Sequence, residues 1–365
     1  MVSIAFTGGG TGGHIYPGLA VAAALKERFP CRIFWLGSAA GMDRVLVEGG
    51  GLEFFGVPSG KLRRYVSPRN LSDLFKVGAG FFAARRILKR EKPALLFSKG
   101  GFVSVPPCAA AASLGIPVFT HESDYSPGLA TRINTRFASR IFTACEDTAG
   151  FFAPALRDRI SLVGNPVRSA FRNADAAAGR RFLGLPPEAR ILLVLGGSQG
   201  AREVNELVRE TLGTLTRHYT VVHQTGPNQG WDLKASERYR PYAYIGEEMP
   251  QALAAAELVL GRSGAGTVWE AAAAGKPMAL IPLRGSGTRG DQVENAAFFE
   301  RAGAAVVIGG GNQGERAAAV AEIVRELAEN AEKRNAMAAA SAALGKLDGA
   351  ELIARAIRAE ITGEA

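Results

Sequence analysis

The sequence predicts an α/β protein made of two Rossmann-like domains, each built on a parallel sheet. Three observations predict it. Short apolar, β-branched runs alternate with longer helical patterns. That rhythm starts over after a polar, Ala-rich stretch ending near Pro187, and each half opens on a strand that feeds a glycine loop. A chain of 365 residues holds two domains at roughly 100–200 residues each. With 47% hydrophobic and 21% charged residues, it is neither a disordered tail protein nor a coiled coil.

In the first half, the runs at 2–7, 32–37, 95–98, 118–121 and 140–144 read as strands, and 19–29 reads as a helix. The second series of strands is 191–195, 220–224, 243–245, 258–260, 278–281 and 305–308, with a helix at 267–274. The join falls near 164–172, giving an N-terminal domain at 1–163 and a C-terminal domain at 164–345. Residues 346–365 form a terminal helix. Asp348 and Glu351 have capping-box spacing, and Ile353, Ile357 and Ile361 share one face, which packs back on the N-terminal domain.

Charge and cysteine usage narrow the function classes. Forty-three basic against 34 acidic residues leave a net +9, which suits an anionic partner. No recognisable RNA- or DNA-binding module accompanies that charge, so nucleic acid is disfavoured. Cys31, Cys108 and Cys145 stand far apart without metal-ligand spacing, so neither a disulfide framework nor a zinc site is expected. The start lacks signal-peptide character and no run reaches the roughly 20 apolar residues of a span, which points to the cytoplasm and to peripheral membrane contact at most.

The glycines mark the candidate site. Gly8, Gly10 and Gly13 satisfy GxGxxG between a strand and a helix, where amides and a helix N-terminus face an anion. A dinucleotide site also wants an acid at the end of the second strand. None precedes Asp43, which disfavours a dehydrogenase. Two further turns, Gly196–Ala201 and Gly261–Thr267, follow strands of the second half and together suit one diphosphate. Glu270, read in the first turn of the following helix, is either a ribose-diol acceptor or a plain helix-start acid. Asp291 and Gln292 follow a glycine-flanked loop and suit a hydroxyl-rich sugar, or simply begin a helix. No GxxxxGK[ST] occurs, so P-loop nucleotide hydrolysis is disfavoured.

These residues together resemble the MurG family of bacterial glycosyltransferases. The likeness runs over nearly the whole chain: Gly9–His14 with Pro17–Ala20, Gly100–Ser104, His121-Glu122, Gly164–Arg168, Gly196–Ala201, Arg262–Ala265, and Gln292 with Asn295-Ala296. The resemblance implies a GT-B fold with two sheets facing each other across a cleft. It further implies inverting transfer of N-acetylglucosamine from UDP-N-acetylglucosamine to undecaprenyl-linked lipid I in peptidoglycan synthesis. Carried over, Ser198 and the turn Ser263, Gly264, Ala265, Gly266 and Thr267 cradle the donor diphosphate with Arg168 near it. Glu270 takes the ribose, Ile245 the uracil through its backbone, and Asp291 and Gln292 the sugar. Thr11, Gly12 and Gly13 face the donor from the other domain. The family pattern His-Glu-Gln-Asn is here His121-Glu122-Ser123-Asp124, and an ionised Asp124 accepts hydrogen bonds but does not donate them.

Transfer with inversion needs a base and a stabilised leaving group. His14 is the first candidate base, since an imidazole suits proton uptake near neutral pH; the same residue could instead cap the helix or bind phosphate. Glu122 is the second. No acidic metal-binding motif is evident, so no cofactor beyond the donor is expected. Lys61, Arg63, Arg64, Leu74, Phe75, Phe81, Phe82, Arg85 and Arg86 mix bulky apolar and basic side chains, as an interfacial segment or an ordinary half-buried helix does. The implied setting is the cytoplasmic face of the inner membrane, on anionic lipid and among cell-wall synthesis proteins. A UDP-N-acetylglucosamine epimerase of similar fold, or a non-catalytic nucleotide-sugar binder, are the other readings.

Overall fold

The computed structural model describes residues 1–60, 69–227, 230–285 and 288–363, with residues 69–74 described by their backbone. The chain divides into two compact units, Met1–Arg168 with Leu347–Ala365, and Ser169–Lys346. The first unit carries β1 (Val2–Thr7), β2 (Cys31–Ser38), β3 (Glu53–Val57), β4 (Leu95–Ser98), β5 (Val118–Glu122), β6 (Arg140–Thr143) and β7 (Ile160–Leu162). They form one sheet in the order β3-β2-β1-β4-β5-β6-β7, every neighbour parallel. The second unit carries β8 (Ile191–Leu195), β9 (Thr220–Gln224), β10 (Tyr239–Tyr242), β11 (Leu258–Gly261), β12 (Met278–Leu280) and β13 (Ala305–Val307), also all parallel, in the order β10-β9-β8-β11-β12-β13.

Both orders reverse direction once, between β1 and β4 in the first sheet and between β8 and β11 in the second. At such a switch point the helices leave to opposite faces, and a crevice opens beyond the strand carboxyl ends. The central strands are buried on both faces, so they read as largely apolar runs such as Ile191–Leu195, in which every residue is buried.

Several elements differ from the sequence reading. The helix expected from 19 begins at Gly12 and runs to Arg28, with Pro17 inside it, so the glycine motif supplies the helix's own first turn. The strand expected at 243–245 is instead β10 at Tyr239–Tyr242. Residues 243–245 lie just past it, where Ala243 accepts from the Gly226 amide. Strands β3 and β7 were not anticipated: β3 carries a glycine, and β7 has only three residues, two of them exposed.

The terminal helix Gly349–Thr362 packs on the helix Gly12–Arg28 of the first unit. Ile353 and Ile357 are fully buried there and Ile361 is partly so, while Asp348 Oδ1 caps the helix by accepting from the Glu351 amide at 3.2 Å. Glu351 also pairs with Arg28 at 2.7 Å, an exposed contact contributing little beside the apolar burial. Ile357→Ala removes most of a buried side chain from this seam and should lower stability by roughly 2–5 kcal/mol. Chemical denaturation of the full chain, followed in the first unit, checks it.

Candidate functional site

At the switch point of the first sheet, the turn after β1 closes on itself. Gly10 sits at φ +85°, and a Cβ there would stand 2.6 Å from the Phe102 ring, so no side chain fits. Its amide donates to Asp43 Oδ1 at 2.9 Å, while the Ser38 amide donates to Asp43 Oδ2 at 2.9 Å. Asp43 is 1% exposed. Its carboxylate therefore occupies the Gly10 amide, a donor at the middle of the glycine motif.

Thr11 is the N-cap of Gly12–Arg28, and Gly12, Gly13 and His14 are the first three helical residues. The Thr11 hydroxyl meets His14 Nδ1 at 2.9 Å, which orients the imidazole ring. From the turn after β4, Gly101 approaches so closely that a Cβ would lie 3.3 Å from the imidazole and 2.6 Å from the Gly9 carbonyl. Arg168 lies in the same unit, its guanidinium 5.3 Å from the centre of the Tyr16 ring.

Glu122 ends β5 and is buried. Oε1 accepts from the amides of Ser123 and Asp124 at 2.9 and 3.1 Å, and Oε2 from that of Gly128 at 3.0 Å. A carboxylate that takes three backbone amides organises the 123–128 loop. Its oxygens are engaged, which makes it a poorer base than His14. Asp124 is half-buried on the same loop.

In the second unit a cavity of about 640 Å³ opens at the β8/β11 switch point, lined among others by Gly196, Gly197, Gly200, Arg262, Thr267 and Gln292. Gly264 also lines it as the N-cap of Ala265–Ala273, so the amides of Ala265, Gly266 and Thr267 begin a helix beside the cavity. Ser198 is exposed at the tip of the 196–200 turn and outside the lining. Arg262 Nη2 pairs with Glu203 Oε2 at 2.6 Å, and Glu203 also holds Arg316. The lining carries Arg202, Arg262 and Arg284 against Glu203 and Glu206, so it is net positive; burial lowers the pKa of Arg262 and of Arg316, yet arginine stays charged.

Other residues singled out from the sequence sit differently. Ser263 is fully buried, its hydroxyl donating to the Gln292 carbonyl at 2.7 Å and its own carbonyl accepting from Asn295 Nδ2 at 3.1 Å, so its side chain locks the turn rather than facing the cavity. Gln292 Oε1 accepts from the Leu283 amide at 3.0 Å. Asp291 and Gln292 are the first two residues of the helix Asp291–Arg301 rather than part of the loop, and Asp291 lies 3.7 Å from Arg289. Because the preceding helix starts at Ala265, Glu270 is its sixth residue, two residues further in than expected and past the first turn, and gains little from the helix dipole.

Sequence reasoning missed Gln224. It ends β9, is 3% exposed, donates from Nε2 to the Gly197 carbonyl at 3.1 Å, and accepts on Oε1 from the Ile245 amide at 2.9 Å. It thereby ties the 196–200 turn to Ile245, whose amide is spent on this bond. The available signal was a polar residue at the carboxyl end of an apolar strand, a pattern that Lys99, directly after β4, shares in the first unit.

On the helix Arg69–Glu91, Phe75 and Phe82 lie seven residues apart and are 73% and 71% exposed, with Arg86 exposed one turn on. Phe81 is turned inward with Ala84 and Leu88 onto the core, and Arg85 is half-buried, so the exposed patch is narrower than the sequence suggested. Lys61, Arg63 and Arg64, with the side chain of Leu74, lie outside the described residues. Among the described residues, no helix is long and apolar enough to cross a membrane, and no cluster of His, Cys, Asp or Glu is arranged to hold a metal ion.

Comparison with known proteins gives two family matches, the glycosyltransferase family 28 N-terminal domain over residues 4–143 and the C-terminal domain over 191–353. A UDP-N-acetylglucosamine–N-acetylmuramyl-(pentapeptide) pyrophosphoryl-undecaprenol N-acetylglucosamine transferase of Treponema denticola is 46% identical, over 100% of this chain and 99% of its own. The crystal structure of Acinetobacter baumannii MurG superposes with a TM-score of 0.75 at 24% identity, covering 98% of this chain and 99% of that one. A UDP-GlcNAc 2-epimerase of Neisseria meningitidis bound to UDP-GlcNAc gives 0.67 at 14% identity, over 98% and 100%. At those identities the two structures establish a shared fold.

Gln224→Ala removes the tether to the Gly197 carbonyl and the tie to the Ile245 amide while leaving every cavity-lining side chain in place. Affinity for UDP should fall about tenfold, the equivalent of roughly 1.4 kcal/mol, as measured by calorimetry.

Proposed function

Because this chain belongs to the MurG family within glycosyltransferase family 28, we propose that it transfers N-acetylglucosamine from UDP-N-acetylglucosamine to undecaprenyl-pyrophosphoryl-N-acetylmuramoyl-pentapeptide, lipid I, to form lipid II. The observation that carries this reading is the full-length likeness to a relative bearing that name. An epimerase of similar fold shares the architecture at 14% identity, so fold alone does not favour it.

The second unit takes the donor. Its diphosphate lies against the glycine turn 196–200 and the first amides of Ala265–Ala273, in a cavity with Arg262 on its wall. These donors are fixed before substrate arrives, so they stabilise the charge that grows on departing UDP without reorganisation. Ile245 reads the uracil through its carbonyl, Glu270 meets the ribose, and Gln292 with Asp291 meets the sugar hydroxyls. The acceptor hydroxyl attacks in line from the face opposite UDP, which inverts the linkage. His14 takes its proton, its ring oriented by the Thr11 hydroxyl. Gly12 and Gly13, at the N-terminus of their own helix, and Arg168 supply positive potential for the acceptor's diphosphate. No metal enters this scheme.

The acceptor's lipid chain requires a membrane surface, and Phe75 and Phe82 with the basic residues of their helix suit the interface on the cytoplasmic side. Nearby cations add about 1 kcal/mol each on anionic lipid.

Labelled UDP-N-acetylglucosamine should give labelled lipid II only when lipid I is present; an epimerised sugar from donor alone would contradict the reading. His14→Ala should lower turnover by roughly 10²-fold or more. Phe75→Ser with Phe82→Ser should weaken sedimentation with anionic liposomes while leaving turnover on a detergent-soluble acceptor near wild type.

A further inference from the structure

Glu203 is the second residue of the helix Arg202–His218, which leaves β8 through the 196–200 turn. It lines the cavity, with its side chain 31% exposed. Oε2 pairs with Arg262 Nη2 at 2.6 Å, and Oε1 pairs with Arg316 Nη1. Arg262 directly follows β11; its amide donates to the Leu195 carbonyl at 3.0 Å and its Nη1 to the Ile281 carbonyl at 3.1 Å. One carboxylate thus stands where the segments following both switch-point strands meet, on the wall of a cavity that suits an anion.

The other charges of that wall are placed differently. Arg202 and Glu206 form an exposed pair at 2.7 Å, open to solvent and salt and contributing little. Arg284 is exposed. Arg316 lies outside the lining, on the helix Gln313–Glu329, which packs on the helix of Glu203. It is 8% exposed, and its Nε and Nη2 have no hydrogen-bond partner among the described residues. Glu203, shielded by two buried guanidiniums, is therefore the carboxylate of the lining whose field is screened least.

A negative charge here opposes every anion that enters, and opposes it more as the anion's own charge rises. UDP ends in a phosphate monoester, whose second pKa is about 6, so at neutral pH it carries more negative charge than a UDP-sugar, whose terminal phosphate is a diester. We propose, on the reading that this cavity takes the donor diphosphate, that Glu203 is a specificity-determining residue. Its carboxylate weakens the hold on free UDP more than the hold on the UDP-sugar, and so favours exchange of product for fresh donor.

The test titrates UDP and UDP-N-acetylglucosamine by calorimetry into the full-length wild type, Glu203→Gln, Arg316→Gln and the double variant, at low and high salt. Glu203→Gln removes the charge but keeps an acceptor for Arg262. It should tighten UDP by about fivefold and the UDP-sugar by about twofold, with both gains smaller at high salt. Arg316→Gln removes a positive charge from behind the wall, and should weaken UDP by about two- to threefold and the UDP-sugar by less. The double variant should fall between the two single variants. A carboxylate that only fixed Arg262 would give the opposite sign, with Glu203→Gln losing affinity equally for both ligands. That result, or an unchanged preference between the ligands, would overturn the proposal. Arg316→Gln carries the test if Glu203→Gln does not fold, and equal effects on both ligands there would overturn it too. In all these cases wild-type binding leaves the reading of the cavity intact, whereas a wild type that binds neither ligand would overturn both.

Discussion

Backbone amides that leave a parallel sheet at its carboxyl edge have lost their ladder partners, and each must find another or meet a ligand. In this protein every strand of both sheets runs parallel, so that demand is concentrated on one edge of each unit. It is strongest at the two switch points, where the loops diverge. The site residues can be sorted by how the demand is met. Asp43 satisfies the turn after β1, Glu122 the loop after β5, and Gln224 reaches both the 196–200 turn and Ile245. The first amides of Ala265–Ala273 stand beside an open cavity instead.

That sorting separates two glycine turns that look alike in sequence. The turn after β1 has an internal carboxylate, so it resembles an anion site whose anion is built in, and its exposed end presents Thr11 and His14. The turns after β8 and β11 line a cavity with a net positive arginine wall. The proposed division of labour, donor charge in the second unit and proton uptake in the first, follows from this difference.

Much of the fold was legible from periodicity. Four strands, Val2–Thr7, Leu95–Ser98, Ile191–Leu195 and Thr220–Gln224, have the limits read from the sequence, because a strand covered on both faces is apolar over most of its length. The errors fall where that signal fails. In β10, Arg240 and Pro241 interrupt the run and displaced the expected strand, and β7 is an exposed edge with little to bury. The two helix starts were read late because glycine and proline counted as breakers, whereas first-turn residues need no intrahelical N–H bond.

The site was legible as motifs but not as roles. Glycine spacing located the turns. It could not tell that Ser263 faces inward, that Glu270 sits a turn deep, or that the Ile245 amide is already used, since these depend on helix phase and on partners distant in sequence. Gln224 and Lys99 escaped notice because one buried polar residue beside an apolar run carries no spacing.

The central claim is that the donor diphosphate is held by the two turns of the second unit. Amide hydrogen exchange with and without UDP tests it most directly. The account predicts added protection at 197–201 and 264–267, with none at 8–13. Protection concentrated at 8–13, with 197–201 and 264–267 unchanged, would contradict it.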